Sequence, residues 1–162
     1  MAANEADLVR LLEIHLALHG FKRTKKTWYL ESDDCYSLVE LDKGTWGGNY
    51  HLNLNVVLKA WGAKPSHDNG ELLGWGVEVL MPETLRIREA LDLSNMTLTS
   101  TERDALLIVA LEEYAIPFVK RTSTLEGLKE ELRRNKRMRY HTSLILWEHL
   151  KLDVPRNPKL DE

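Results

Sequence analysis

One stretch restricts the fold more than any other: Gly47 to Trp61, GGNYHLNLNVVLKAW. Tyr50, Leu52, Leu54, Val56 and Leu58 alternate with His51, Asn53, Asn55 and Lys59, and only Val57 breaks the pattern. Successive side chains of a strand point to opposite faces, so a period of two predicts a strand with one face in a core and one polar face. One-sided burial of this kind belongs to antiparallel sheets. Burying the four aliphatic side chains contributes on the order of 6–12 kcal/mol before entropy. A slip of one residue would bury His51, Asn53 and Asn55 instead, so the register is firmly set.

The rest of the chain supplies neighbours for that strand. Residues from about Asn4 to His19 predict a helix, with Asn4 as cap, Asp7 in the first turn, and Leu8, Leu11, Leu12, His15 and Leu18 at helical spacing. Gly20 ends it. In FKRTKKTWYLES, basic residues precede a first strand at Trp28, Tyr29 and Leu30. Ser32, Asp33 and Asp34 turn the chain into a second strand, CYSLVELDK. Gly44, Gly47 and Gly48 surround Trp46 in the next turn.

After Trp61, GAKPSHDNGE reads as a surface loop. ELLGWGVEVLM follows as a fourth strand with Leu73, Trp75, Val77 and Val79 on one face, stopped by Pro82. Its interior glycines mark an edge or a close approach of other atoms. LRIREALDL, within 83–98, fits either a short helix or a further strand. Thr99 and Glu102 form a capping box for a helix that Pro117 closes. Ser123 and Glu126 form a second for TLEGLKEELRRNKRM, with a stripe of Leu125, Leu128 and Leu132. A last helix spans about Thr142 to Leu152 and contains Trp147.

These elements predict an α+β fold: an N-terminal helix, an antiparallel sheet of about four strands and C-terminal helices packed on one face. Residues 1–152 read as one domain and 153–162 as a flexible tail. At 162 residues such a domain buries roughly 70% of its unfolded surface and needs neither disulfide nor metal. Cys35 is the only cysteine, which suits a reducing, cytoplasmic setting. The net charge of -3 argues for neither nucleic acid nor a membrane surface as a global partner. No apolar run approaches the length of a membrane span, and the N-terminus reads as neither a secretory signal nor a transit peptide.

FKRTKKTWYLESDDCYSLVELDKGTWGGNYHLNLNVVLKAWG resembles the core of a bacterial family, domain of unknown function 4304. Phe21, Lys22, Trp28 and Tyr29 are similar to its first strand element, and Gly48, Tyr50, Asn53 and Leu54 to its third. IPFVKRTSTLEGLKEEL is similar to its later helical element. Asp42 stands where the family favours glutamine, and Asn55 where it favours glycine. The resemblance carries no assigned reaction. It implies a genomic role like that of the small cytosolic proteins encoded beside bacterial toxins as immunity proteins, an analogy at the level of the family.

Five features bear on function. The polar face of the opening strand, His51, Asn53, Asn55 and Lys59, with Glu40, Asp42, Glu78 and the Gly74/Gly76 gap, is either a recognition surface or a solvated face. Trp46 is either an exposed anchor for a partner or a ring folded back on the sheet edge. His15 and His19, at i and i+4, share a helix face as zinc ligands do, but with no H-E-x-x-H and no third ligand His15 reads as a partly buried core residue, and no metal is expected. Cys35 has no neighbouring base and reads as a small strand residue. Arg133, Arg134, Lys136, Arg137 and Arg139, followed by Tyr140, form a basic helix over 129–139 that extends toward Lys120, Arg121 and Lys129. That helix is either a phosphate-binding ridge or cations placed at a helix C-terminus.

No G-x-S-x-G, P-loop or G-x-G-x-x-G occurs, so no catalytic residue and no cofactor is expected. The expectation is a non-catalytic protein-binding protein, an immunity-type protein neutralising a cognate toxin, with Trp46, His51, Asn53, Asn55, Lys59 and Glu78 on its binding face. The alternative is a nucleic-acid-binding module using the basic helix. A third reading, a small-molecule site on the sheet, requires a concave pocket joining His51, Asn53 and Glu78.

Overall fold

The computed structural model of the protein describes residues 3–61, 74–135, 138, 142 and 144–152. Helix α1 spans Glu5–Leu18, and the Asn4 side chain caps it by accepting from the Asp7 amide at 3.0 Å. Gly20, at φ +83°, ends it as expected. Leu8, Leu12 and Leu16 are fully buried, so the packed stripe runs at i, i+4, i+8. Leu18 is 78% exposed instead of lying on that stripe. It stands about 200° around the helix from Leu16.

The antiparallel sheet, expected with about four strands, has five: β1 (Lys22–Thr24), β2 (Thr27–Glu31), β3 (Cys35–Lys43), β4 (Tyr50–Leu58) and β5 (Gly74–Gly76). They form an antiparallel meander in the order β1-β2-β3-β4-β5. The additional strand is β1, whose Lys22 faces Tyr29 and whose Thr24 faces Thr27. Lys25, at φ 55°, takes the left-handed conformation that closes this hairpin, a place more often held by Gly or Asn. β3 and β4 occupy the predicted residues and pair without a bulge from Cys35 opposite Leu58 to Lys43 opposite Tyr50.

β5 is much shorter than the predicted fourth strand. Only Gly74, Trp75 and Gly76 pair with β4, after which Val77–Val79 turn into a 3₁₀ helix. Two glycines bring little strand preference, and the Leu80 amide closes the turn on the Val77 carbonyl at 3.0 Å. Leu73 and the GAKPSHDNGE loop lie outside the described residues. Within 83–98 the ambiguous segment forms a short helix, α2 (Ile87–Leu91).

Helix α3 (Ser100–Val109) carries the predicted Thr99/Glu102 capping box. Pro117 does not close it. A π-helical turn, Ala110–Ala115, follows directly and leads into α4 (Ile116–Arg121). The Ile116 amide reaches back five residues to the Leu111 carbonyl, and this widened turn admits a proline that lacks a donor and crowds the carbonyl of the preceding turn. α5 (Leu125–Arg134) is capped by Thr124 rather than by Ser123. The Ser123 hydroxyl donates to the Lys120 carbonyl at 2.9 Å and so serves the end of α4. Helix α6 (Leu144–His149) is shorter than the predicted last helix. The tail at 153–162 lies outside the described residues.

One face of the sheet meets the helices. Trp28, Val39, Leu41, Leu52, Leu54, Val56, Leu58 and Trp75 share a core with Leu8, Leu12 and Leu16 of α1 and with Leu107, Phe118, Leu132 and Trp147. Trp75 and Phe118 meet edge to face at 5.6 Å. The α4–α5 joint is fastened to β3 by the Ser37 hydroxyl donating to the Thr122 carbonyl at 3.0 Å and the Cys35 thiol to the Ser123 carbonyl at 3.1 Å. Among the described residues no helix is long and apolar enough to cross a membrane.

Candidate interaction surface

The register places Tyr36, Leu38, Glu40 and Asp42 of β3 opposite Val57, Asn55, Asn53 and His51 of β4, all on the face turned away from the core. Here the side chains pair diagonally. Asn53 donates through Nδ2 to Asp42 Oδ2 at 2.6 Å, and Asn55 donates to Glu40 Oε2. Both asparagines are half-buried and Glu40 is buried. A carboxylate that accepts from a fixed amide keeps its position, so this part of the face is pre-organised polar structure rather than loose solvated side chains.

The same face also carries apolar residues. Leu38 is fully buried and Val57 nearly so, yet neither belongs to the helix-covered core. Tyr29 and Tyr36 meet edge to face at 5.9 Å beside them. The face therefore divides along its length. Tyr29, Tyr36, Leu38 and Val57 occupy one end, and His51, with Asp42, the other. His51 and Leu58 are separated by about 23 Å of extended strand.

Lys59 belongs to the apolar end. Its ammonium lies 2.7 Å from Glu31 and 4.9 Å from the centre of the Tyr36 ring. The bond to Glu31 raises the Lys59 pKa, and the same bond lowers that of Glu31. A cavity of about 330 Å³ lies here, lined by Lys22, Tyr29, Glu31, Asp33 and Lys59. Glu78 stands apart at the far edge, its carboxylate folded over Gly76 where a Cβ would otherwise sit, and 3.9 Å from Arg88. A second cavity of about 560 Å³ includes Glu78 with Met81, Leu85, Arg86 and Ile87, but neither His51 nor Asn53. Among the described residues, neither of these cavities joins His51, Asn53 and Glu78 as a small-molecule reading requires.

Trp46 projects from the β3–β4 turn and is 82% exposed. The turn beneath it is held on both sides. Gly44 N donates to the Asn49 carbonyl at 2.8 Å, Leu93 N donates to the Gly48 carbonyl at 3.0 Å, and Asn49 bridges to Asp92. Gly48 fits against the backbone of residues 93–94, where a Cβ would lie 2.9 Å from Ser94 N. Arg103, buried on α3, anchors that second loop by donating to the carbonyls of Ala90 at 2.9 Å, Asp92 at 2.7 Å and Asn95 at 2.8 Å. The loop exposes Met96 at 91%. Two large apolar side chains thus stand in solvent on two loops fastened to each other.

The remaining candidates have local roles. His15 Nδ1 and His19 Nε2 lie 2.7 and 2.8 Å from the two oxygens of Glu112, and the His15 bond is the main cause of that carboxyl's lowered pKa. No metal-binding group of three or more His, Cys, Asp or Glu occurs among the described residues. Burial pushes the Cys35 thiol up, away from the thiolate. Arg133 and Arg134 lie 3.9 and 3.3 Å from Glu130 on the last turn of α5. Lys136, Arg137, Arg139 and Tyr140 lie outside the described residues. Sequence reasoning missed Leu38, Arg103 and Met96. The break in alternation at Val57 and the run Leu38-Val39 in β3 signalled buried apolar residues on both faces, whereas nothing local distinguishes Arg103.

No curated protein and no solved structure matches the chain. The helical element at IPFVKRTSTLEGLKEEL lies beyond the family match, which covers the end of α1 and strands β1 to β4. Over residues 14–72 the chain matches the family model described as Domain of unknown function (DUF4304), the family that its sequence resembles.

Proposed function

We propose that this chain is a non-catalytic protein-binding protein of the immunity type, one that neutralises a toxin encoded beside it. The single observation that carries the reading is Trp46, 82% exposed on a turn braced by the loop that Arg103 holds. A tryptophan exposed on a braced turn costs little backbone entropy on docking, and tryptophan is among the residues that dominate binding energy at interfaces. The ladder of Asp42 with Asn53 and Glu40 with Asn55 gives the neighbouring sheet face fixed charge and hydrogen-bonding groups, which favours selectivity and fast encounter. Lys59 and Glu78 belong to the periphery of this surface, since Lys59 is engaged by Glu31 and Glu78 by its own turn. A cytoplasmic setting goes with this reading, because Cys35 is a free thiol.

The test is direct. The purified chain is titrated with the purified product of the adjacent gene, and growth is scored when the two are expressed together. A stoichiometric complex and rescued growth are expected. Absence of both overturns the immunity reading.

A further inference from the structure

The strongest cluster outside the proposed binding surface joins α1 to α4. His15 Nδ1 and His19 Nε2 contact separate oxygens of Glu112, and Lys120 Nζ lies 2.9 Å from His19 Nδ1. A lysine ammonium has three donors and no acceptor, so the lone pair in that contact belongs to His19 Nδ1. Nε2 then carries the proton and donates to the Glu112 carboxylate. These hydrogen-bond roles fit only one form of His19, the neutral imidazole protonated at Nε2.

The charged groups facing the joint come from each element around it. They are His15 and His19 from α1, Glu112 from the π-helical turn and Lys120 from α4. Lys22, just past the end of α1, is turned to Glu31 at 3.6 Å instead.

We propose that His19 is a pH-sensitive link between α1 and α4, holding Lys120 while neutral and releasing it on protonation. A second proton on His19 must go to Nδ1, which then points an N–H at an ammonium. The Lys120 bond is lost and replaced by like-charge repulsion, while the Glu112 contact becomes a full ion pair and persists. Acidification therefore exchanges a chain of four groups for a tighter set of three, with Lys120 freed into solvent. The inference does not depend on the partner or on the immunity reading.

The experiment follows imidazole nitrogens and lysine side chains by NMR in the folded, full chain. At alkaline pH the long-range nitrogen–proton pattern of His19 is expected to be that of the Nε2–H tautomer. On acidification the Lys120 Cε and Hε resonances are expected to move with the same midpoint as the His19 ring. Lys120→Met is expected to leave His19 as a mixture of tautomers, and His19→Gln to leave Lys120 without that transition. An Nδ1–H tautomer at His19, or Lys120 resonances that stay flat through the His19 titration, overturns the proposal using the wild-type protein alone.

Discussion

The two faces of β4 are built from one strand, yet they obey different rules. On the helix-covered face, Tyr50, Leu52, Leu54, Val56 and Leu58 are buried in strict alternation. On the other, His51 is exposed, Asn53 and Asn55 are half-buried and tied to carboxylates, and Val57 is buried beside Leu38. The first face is a core that any well-packed apolar set would satisfy. The second mixes a small apolar cluster, a hydrogen-bonded ladder and an exposed end, which is how a surface looks when shape and polarity are both specified.

Substitutions that remove the same volume from each face break or sharpen this contrast. Leu54→Ala empties a fully buried site on the core face, and it is expected to cost about 3–4 kcal/mol in urea unfolding. Leu38→Ala, equally buried but on the opposite face, is expected to cost about 2–3 kcal/mol. A loss below about 0.5 kcal/mol at Leu38, the level of an ordinary surface change, would mean that the second face holds no core of its own.

The contrast was only half legible in the sequence. Alternation set the residues of β4 and β3, and the caps at Asn4 and Thr99 set the starts of α1 and α3, because each depends on spacing within a few residues. β1 was missed because its turn uses Lys25 at positive φ, where no glycine or asparagine signals a hairpin. The run through Pro117 was missed because a π-helical turn is a tertiary accommodation, with no local pattern of its own. At the candidate site, the polar residues were readable and their pairing was not. Asn55 reaches Glu40 and Asn53 reaches Asp42 only because the β3–β4 register brings them together.

The ladder itself comes next in size. Asn55→Ala removes the donor to a buried carboxylate and is expected to cost about 1.5–3 kcal/mol, the range for a hydrogen bond to a charged group. Asn53→Ala, whose partner Asp42 is half-buried, is expected to cost less, at most about 1 kcal/mol. If the two losses match, the burial of Glu40 has no energetic consequence and the ladder is merely surface pairing.

At the rim of the core face, Tyr50 donates to Glu5 at 2.8 Å, and Lys26 lies 2.7 Å from the same carboxyl. Those bonds, Lys26 first, hold the Glu5 pKa below its ordinary value. A depressed carboxyl contributes stability that is present above its unfolded pKa, near 4.3, and is lost as the pH falls through the folded value. Glu5 is partly exposed, so water screens the contribution and the effect is small. Glu5→Gln is expected to lower stability slightly at neutral pH and so to flatten the acid limb below about pH 4.3, with the variant and the wild type converging at low pH. An acid limb identical to that of the wild type would show that the α1 start is not fastened to the sheet through this carboxyl.

The smallest effect on folding is expected at Trp46, and that is where the comparison of faces becomes a statement about function. Its ring is in solvent, so Trp46→Ala removes almost no buried area and is expected to change unfolding by less than about 0.5 kcal/mol. Leu54→Ala and Trp46→Ala therefore form opposite pairs of readouts. The first lowers stability and weakens partner binding only as far as it depopulates the fold. The second leaves the fold intact and is expected to weaken binding by about 2 kcal/mol or more, roughly thirtyfold in Kd, measured by calorimetric titration with the partner. A Trp46→Ala protein that binds as tightly as the wild type would move the contact away from the braced turn. The other exposed side chain on this platform, Met96, then becomes the next residue to truncate, because the Arg103 anchor holds its loop to the same standard of rigidity.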